Sequence, residues 1–468
     1  MNHYIGPKGY SILKSTLTPQ QQQQIKNDLT AKPHIQYSIG NEVKSFPVYR
    51  ESTMKLYVPR FYGVNQFGKP QHYTIGDGDS IQLEFKGSLR DFQHTIVDRY
   101  LEHAKQHDCA LLDIPCGFGK TVCALHIISR LSKKTLVIVH KDFLMQQWKE
   151  RIQEFLPEAR IGKIQGPVVD IEDKDIVIGM LQTLSMKALD PCIFESFGLT
   201  VVDETHHMGA EVFSNALFTI VTKHMLGLSA TMKRKDGLTK IFKLFLGDVA
   251  YAMKRNTDED QVTIQQIFYE NQDEEFAEEI LNYRGQTQYS AMIKKVCEFN
   301  PRSEAILRIL KDLCDDAKNK QIMILAHNKS LLEYLYNAIE HREMDTVGYY
   351  VGGMKQSELK YSESKRIILG TYAMAEEALD IKTLSCLLLA TPRSDVTQAV
   401  GRILRMKHEQ TIVVDIIDQH KTFKNQSKKR ESFLSLIHIS EPTRRYAMSF
   451  AVFCLKKKWG GGWGGGGG

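Results

Sequence analysis

The stretch "DIPCGFGKT", residues 113–121, decides how the rest of this chain is read. It nearly matches the phosphate-loop pattern G-x-x-x-x-G-K-[ST], but Ile114 stands where the first glycine belongs. Each part of that pattern has a job. Glycines let successive backbone N–H groups curl around phosphate oxygens, the lysine sets a charge on the outer phosphates, and the last hydroxyl holds Mg²⁺. Gly117, Gly119, Lys120 and Thr121 keep every group that would touch phosphate or metal. A bare G-K-[ST] arises by chance in roughly one chain of this length in five, so the neighbourhood must decide. "CALLDIP" (109–115) is a short apolar run stopped by breakers and predicts a buried strand. "TVCALHIISRL" (121–131) puts Val122, Leu125, Ile128 and Leu131 at helical spacing. Strand, glycine turn and helix follow in the required order.

The 468 residues predict two or three domains, each able to bury its own core. At 42% hydrophobic and 25% charged, the composition is that of a soluble globular protein. No apolar run has membrane-span length and "MNHYIGPKGYSILK" lacks a signal-peptide core, so an intracellular protein without membrane partners is expected. The eight cysteines form no C-x-x-C pair and have no histidines at zinc-finger spacing, which predicts reduced thiols. The net charge of +6 falls to +2 without the tail from Leu434, which holds five basic residues and one acid, so overall charge argues for no partner. That tail also has eight of the 32 glycines and two of the three tryptophans. "LSLIHISEPTR" reads as the translation of a sequencing-library adapter, followed by lysine and glycine runs that poly-A and poly-G would encode. Residues 434–468 are therefore expected to be an artefact without order.

Along the chain, residues 1–85 carry no catalytic motif and predict a small α+β accessory domain. In "TLTPQQQQQIKNDLT", Thr18 as N-cap and Pro19 at the first helical position make the glutamine run a helix. "KLYVPRFYG" (55–63) mixes aromatics with Lys55 and Arg60; it suits a strand-and-turn core better than a nucleic-acid stack. From "GSLRDFQ" onward strands and helices alternate. "TLVIVH" (135–140), "DIVIGML" (175–181), "LTVVDE" (199–204) and "HMLGLSA" (224–230) are buried-strand candidates. Between the first two, "DFLMQQWKERIQEFL" shows Leu144, Trp148, Ile152 and Phe155 on one apolar face. An acid-rich stretch from Lys254 to about Asn300 interrupts the rhythm. It resumes with "QIMILA" (321–326), "RIILGTY" (366–372), "LSCLLLAT" (384–391) and "TIVVDIID" (411–418). Such alternation predicts helix-covered parallel sheets, here two in tandem over 86–255 and 256–430, with a phosphate loop only in the first.

Three further segments carry chemistry. "LTVVDETHH" ends an apolar strand in Asp203 and Glu204, the partner a phosphate loop needs: one carboxylate for Mg²⁺, the next to orient and deprotonate water. "SAT" (229–231) ends another strand with small hydroxyl residues that would bond to the Asp-Glu segment. In "QAVGRILR" (398–405), Arg402 and Arg405 share a helix face, and an arginine that reaches a γ-phosphate is worth about 10³–10⁵ in rate.

In this order the segments resemble superfamily 2 helicases. "IPCGFGKT" is similar to their motif I, "VVDETHH" to motif II in its D-E-x-H form, "SAT" to motif III, "GTYAMAEEALD" (370–380) to motif V and "QAVGRILR" to motif VI. The Pro-Cys-Gly start resembles the xeroderma pigmentosum B type, which does without the first glycine. "VHKDFLMQQW", "KIQG", "GMLQTLS" and "LGLSATMKRKDGL" resemble the helicases of large DNA viruses, including the poxvirus transcript-release type. The resemblance covers about residues 86–420 and implies two RecA-like domains that take ATP and Mg²⁺ and grip a nucleic-acid strand. It implies a phosphate loop of Pro115, Cys116, Gly117, Phe118, Gly119, Lys120 and Thr121, with Thr121 and Asp203 on the metal and Glu204 activating water. His206 would couple hydrolysis to the domain interface, and Gln398, Arg402 and Arg405 would close on the γ-phosphate. Asp380 would lie near the ribose or in the coupling network, Gln93 near the adenine and Thr371 on the strand's phosphates. His140, Lys141, Gln182 and Thr183 are weaker nucleic-acid candidates.

The expected activity is an ATP-dependent translocase or helicase on single-stranded or forked DNA, moving 3′→5′, alongside transcription or repair proteins in a viral setting. The expected place is the host cytoplasm, viral factory or virion. Two alternatives stay open: an RNA helicase of the same superfamily, and an ATP-gated clamp or transcription-complex remodeller that does not unwind.

Overall fold

The computed structural model describes residues 3–32, 45–70, 72–115, 118–187, 189–203, 210–229, 239–253, 262–283, 285–316, 320–377, 381, 383–403 and 411–434. Side chains are described for all of these except 376, 377, 402, 403 and 432–434. The chain divides into two compact units, Met1–Arg255 and Asn256–Gly468.

In the first unit eight strands form one sheet in the order Val168–Asp170, Ile161–Gln165, Ile176–Met180, Thr135–Val139, Leu199–Val202, His224–Ser229, Cys109–Asp113 and Val249–Ala252. Every neighbouring pair is parallel except the first, a hairpin at the edge. Burial on both faces explains the sequence: "LTVV", "IVIGM" and "TLVIV" are uninterrupted apolar runs, not alternating ones. The helices Asp91–His107, Lys120–Leu131 and Asp142–Phe155 bury Tyr100, Leu125 and Trp148 in one core against the sheet.

The opposite face is covered in part by the first residues of the chain. His3–Gly6, Gly9–Leu13, Lys55–Val58 and Arg50–Glu51 form a four-stranded antiparallel sheet. Ile5, Tyr10, Leu56 and Val58 share a single core with Leu111, Leu136, Val202 and Phe245 of the larger sheet's side. The glutamine run is the helix Pro19–Asp28. Thr18 Oγ1 accepts from Gln21 N at 3.2 Å while Gln21 Oε1 accepts from Thr18 N at 2.9 Å, a reciprocal cap. In "KLYVPRFYG" the strand Lys55–Val58 runs not into a turn but into the helix Arg60–Phe67, which Pro59 introduces as N-cap. Arg60 is buried and donates to Cys109 Sγ at 2.7 Å and Lys223 O at 2.8 Å, so this cation fastens its helix to the larger sheet. Gly63 is forced by packing, since a Cβ there would lie 2.1 Å from the Tyr10 ring.

The second unit holds a six-stranded, wholly parallel sheet in the order Val262–Tyr269, Thr411–Asp418, Leu384–Leu389, Gln321–Ala326, Ile367–Thr371 and Val347–Tyr350. The acid-rich stretch read as an interruption contributes its edge strand Val262–Tyr269 and the helix Tyr289–Glu298. An edge strand is only partly covered, and "VTIQQIFY" buries few of its side chains, so no apolar run marks it. The two parallel sheets are the α/β architecture expected of tandem RecA-like domains. Among the described residues, no helix is long and apolar enough to cross a membrane. Residues 435–468 lie outside the described residues.

Candidate active site

In parallel sheets ligands collect beyond the carboxyl ends of the strands. Three neighbouring strands of the first sheet deliver the motif residues to that edge. Cys109–Asp113 runs into the glycine turn, Leu199–Val202 into Asp203, and His224–Ser229 lies between them. Ser229 is in register with Asp113, and Ile114 N donates to Ser229 O at 2.9 Å, so the first residue of "SAT" is bonded to the start of the phosphate loop. Ala230 and Thr231 lie outside the described residues.

Gly119 is the N-cap of the helix Lys120–Leu131 and has a left-handed backbone (φ 79°, ψ 38°). Its carbonyl accepts from Cys123 N at 3.0 Å. A Cβ at this position would lie 2.3 Å from Gln93 Nε2 and would displace that amide, and the positive φ strains any side chain there. Lys120, at the first helical position, is 9% exposed, and Thr121 follows it half-buried. Burial pushes the nearby Asp113 carboxyl above its ordinary value, and the Lys120 ammonium pulls it partly back. Cys116 and Gly117 lie outside the described residues; Pro115 and Phe118 flank them, with Phe118 N 3.5 Å from Pro115 O.

Gln93 sits under this loop. Its amide donates to Phe118 O at 3.1 Å and accepts from Arg90 N at 2.9 Å, tying the loop to the start of the helix Asp91–His107. Both ends of the expected adenine contact are thus engaged with backbone in this state.

Asp203 is 6% exposed. Its N–H donates to Ile138 O at 3.1 Å in the adjacent strand, and its Oδ2 accepts from Trp148 Nε1 at 2.7 Å. Trp148 was legible only as part of an apolar helix face, and its bond to Asp203 was missed. The signal was available, because a buried indole N–H usually finds an acceptor. Glu204, His206, Asp380 and Arg405 lie outside the described residues, as does the side chain of Arg402. Arg402 and Gln398 belong to the helix Thr397–Ile403 in the second unit, and Thr371 closes the strand Ile367–Thr371 there.

The weaker nucleic-acid candidates support local structure. Gln182 Nε2 donates to His140 O at 3.1 Å, and Thr183 Oγ1 accepts from Gly166 N at 3.0 Å, which joins "KIQG" to "GMLQTLS". Lys141 is the N-cap residue of the helix Asp142–Phe155. Among the described residues no group of three or more His, Cys, Asp or Glu side chains could hold a metal alone. A hydrated Mg²⁺ shared with phosphates needs only one or two carboxylates, so Asp203 with the Thr121 hydroxyl fits such an ion.

Comparison with known proteins gives the relatives of the chain. Residues 86–234 match the family described as "Type III restriction enzyme, res subunit". A protein of Acanthamoeba polyphaga mimivirus, provisionally named an ATP-dependent RNA helicase, is 33% identical over 447 residues, covering 91% of this chain and 83% of the relative. A provisionally named helicase of Invertebrate iridescent virus 6 is 26% identical over 377 residues, 75% of this chain and 81% of the relative. A provisionally named ATP-dependent RNA helicase of African swine fever virus is 28% identical over 365 residues, 72% and 70% of the two chains. Among solved structures, T4 UvsW shares 15% identity over 96% of this chain and 100% of its own, with a TM-score of 0.38. The glycine turn and Asp203 thus stand at one sheet edge on either side of His224–Ser229, and a third of the sequence is shared with the mimivirus relative across nine-tenths of the chain: the protein belongs to the superfamily 2 helicases, ATP-hydrolysing enzymes, beside those of large DNA viruses.

Proposed function

We propose that this enzyme is a translocase that spends ATP to move along one nucleic-acid strand, with DNA as its substrate in viral transcription or repair. The reading is supported above all by Lys120, Ser229 and Asp203 standing on adjoining elements at one sheet edge. Lys120 and the loop N–H groups would hold the outer phosphates. Mg²⁺, held by Thr121 and Asp203, would supply charge to phosphate oxygens as electrons move onto the leaving group. Glu204 would take the proton of the attacking water. Arg402 and Arg405, with Gln398, would meet the γ-phosphate from the second unit, and His206 and Asp380 would relay the change. A grip on phosphates, through Thr371 and the segments around His140 and Gln182, reads no sequence and weakens with salt. The motif I start supports kinship to the xeroderma pigmentosum B and transcript-release types.

The names of the mimivirus and African swine fever virus relatives favour a second reading, an RNA helicase. ATPase stimulation by DNA and RNA oligomers of equal length separates the two. Larger stimulation by DNA, with strand separation of a forked duplex, is expected. Stimulation by RNA alone selects the second reading, and stimulation without separation selects an ATP-gated clamp.

A further inference from the structure

A side chain that bonds to Asp203 comes from the helix Asp142–Phe155, to which no part in the ATP chemistry was assigned. Trp148 lies in the middle of the helix Asp142–Phe155, is 1% exposed, and aims its indole N–H at Asp203 Oδ2, 2.7 Å away. The partner strand holds the aspartate's backbone through Ile138 O. Backbone and carboxylate are thus fixed from two sides, by the neighbouring strand and by the helix that covers it. An indole has one donor and no acceptor, so the bond can run only one way. It is also neutral. A lysine or arginine in its place would orient the carboxylate but cancel the charge a cation needs, whereas phenylalanine would fill the space and leave the oxygen without this donor.

We propose that Trp148 is a positioning residue for metal binding: its indole N–H holds the Asp203 carboxylate in the orientation that Mg²⁺·ATP requires. The proposal rests on the reading of Asp203 as the Mg²⁺ carboxylate. Outer-shell partners of metal ligands, when removed, typically lower metal affinity or activity about 10–100-fold.

Two measurements test it. In the full chain, Trp148→Phe is compared with Ile152→Ala, which opens a cavity in the same buried helix face without touching Asp203. Both variants should melt earlier. Only Trp148→Phe should raise the Mg²⁺ concentration for half-maximal ATPase, by about tenfold or more. An unchanged Mg²⁺ requirement in folded Trp148→Phe overturns the proposal. The second measurement leaves Trp148 in place. The other tryptophans are Trp459 and Trp463, so Trp459→Phe with Trp463→Phe makes Trp148 the sole indole emitter in the full chain. Mg²⁺ with a non-hydrolysable ATP analogue should change its emission, and Asp203→Asn should abolish that change. Emission that ignores saturating Mg²⁺·analogue overturns the proposal even if Trp148→Phe does not fold. Failure of the functional reading is separately visible: ATPase that survives Lys120→Ala refutes that reading, whereas Lys120-dependent ATPase with an unaltered Mg²⁺ requirement in Trp148→Phe refutes only the role of Trp148.

Discussion

Aspartates of the two sheets take hydrogen bonds from different kinds of donor. Asp203, after the strand Leu199–Val202, takes a bond from the uncharged Trp148. Asp418, the last residue of Thr411–Asp418, is gripped by Arg302 Nε at 2.5 Å and by a second guanidinium nitrogen at 2.9 Å, with both side chains fully buried. Asp415 is paired in the same way with Arg430. A guanidinium cancels a carboxylate's charge and staples the fold, whereas an indole fixes its direction and adds no charge.

The contrast breaks if the two kinds of aspartate respond alike to substitution. Asp203→Asn should lower nucleic-acid-stimulated ATPase roughly 10²-fold or more while thermal melting stays near the wild-type value. Arg302→Ala should do the reverse in kind. It leaves Asp418 charged and buried without its partner, which costs about 3–5 kcal/mol in denaturant unfolding of the second unit.

His327 sharpens the same comparison. It follows the strand Gln321–Ala326, bonds to Thr391 Oγ1 at 2.8 Å, and packs beside Tyr372. Burial, with Arg393 nearby, pushes its pKa down to about 4. The unfolded chain therefore takes up this proton first. Stability is whole above the unfolded value near 6.5 and declines as pH falls toward 4. The unfolding free energy of wild type should fall by roughly 2 kcal/mol over that window, and His327→Asn should flatten the slope. The smallest effect is expected at the helix Pro19–Asp28: Thr18→Ala removes the reciprocal cap and should lower stability by about 1 kcal/mol with ATPase unchanged.

What could be read from the sequence follows from where the signal resides. The phosphate loop, the strand ending in Asp203 and the Thr18 cap are local patterns, and the structure has the strands and helices they require. The edge strand Val262–Tyr269 and the hairpin Ile161–Asp170 escaped because edge strands lack the apolar run used to find the others. Arg60 and Trp148 escaped for a different reason. Each looks like ordinary core or surface in its own helix, and its partner lies tens of residues away: Cys109 for one, Asp203 for the other. Gln93 shows a third limit, since nothing in its local sequence reveals that its amide bridges Arg90 and Phe118.

The central claim is that Lys120 and Asp203 serve a nucleotide whose hydrolysis is coupled to a nucleic-acid strand. Its most direct test is the steady-state ATPase of the full chain, with and without a single-stranded oligomer, beside Lys120→Ala. The account predicts activity that rises severalfold or more with the oligomer and is lost in Lys120→Ala. Equal activity in the two proteins, or hydrolysis indifferent to any DNA or RNA strand, would contradict it.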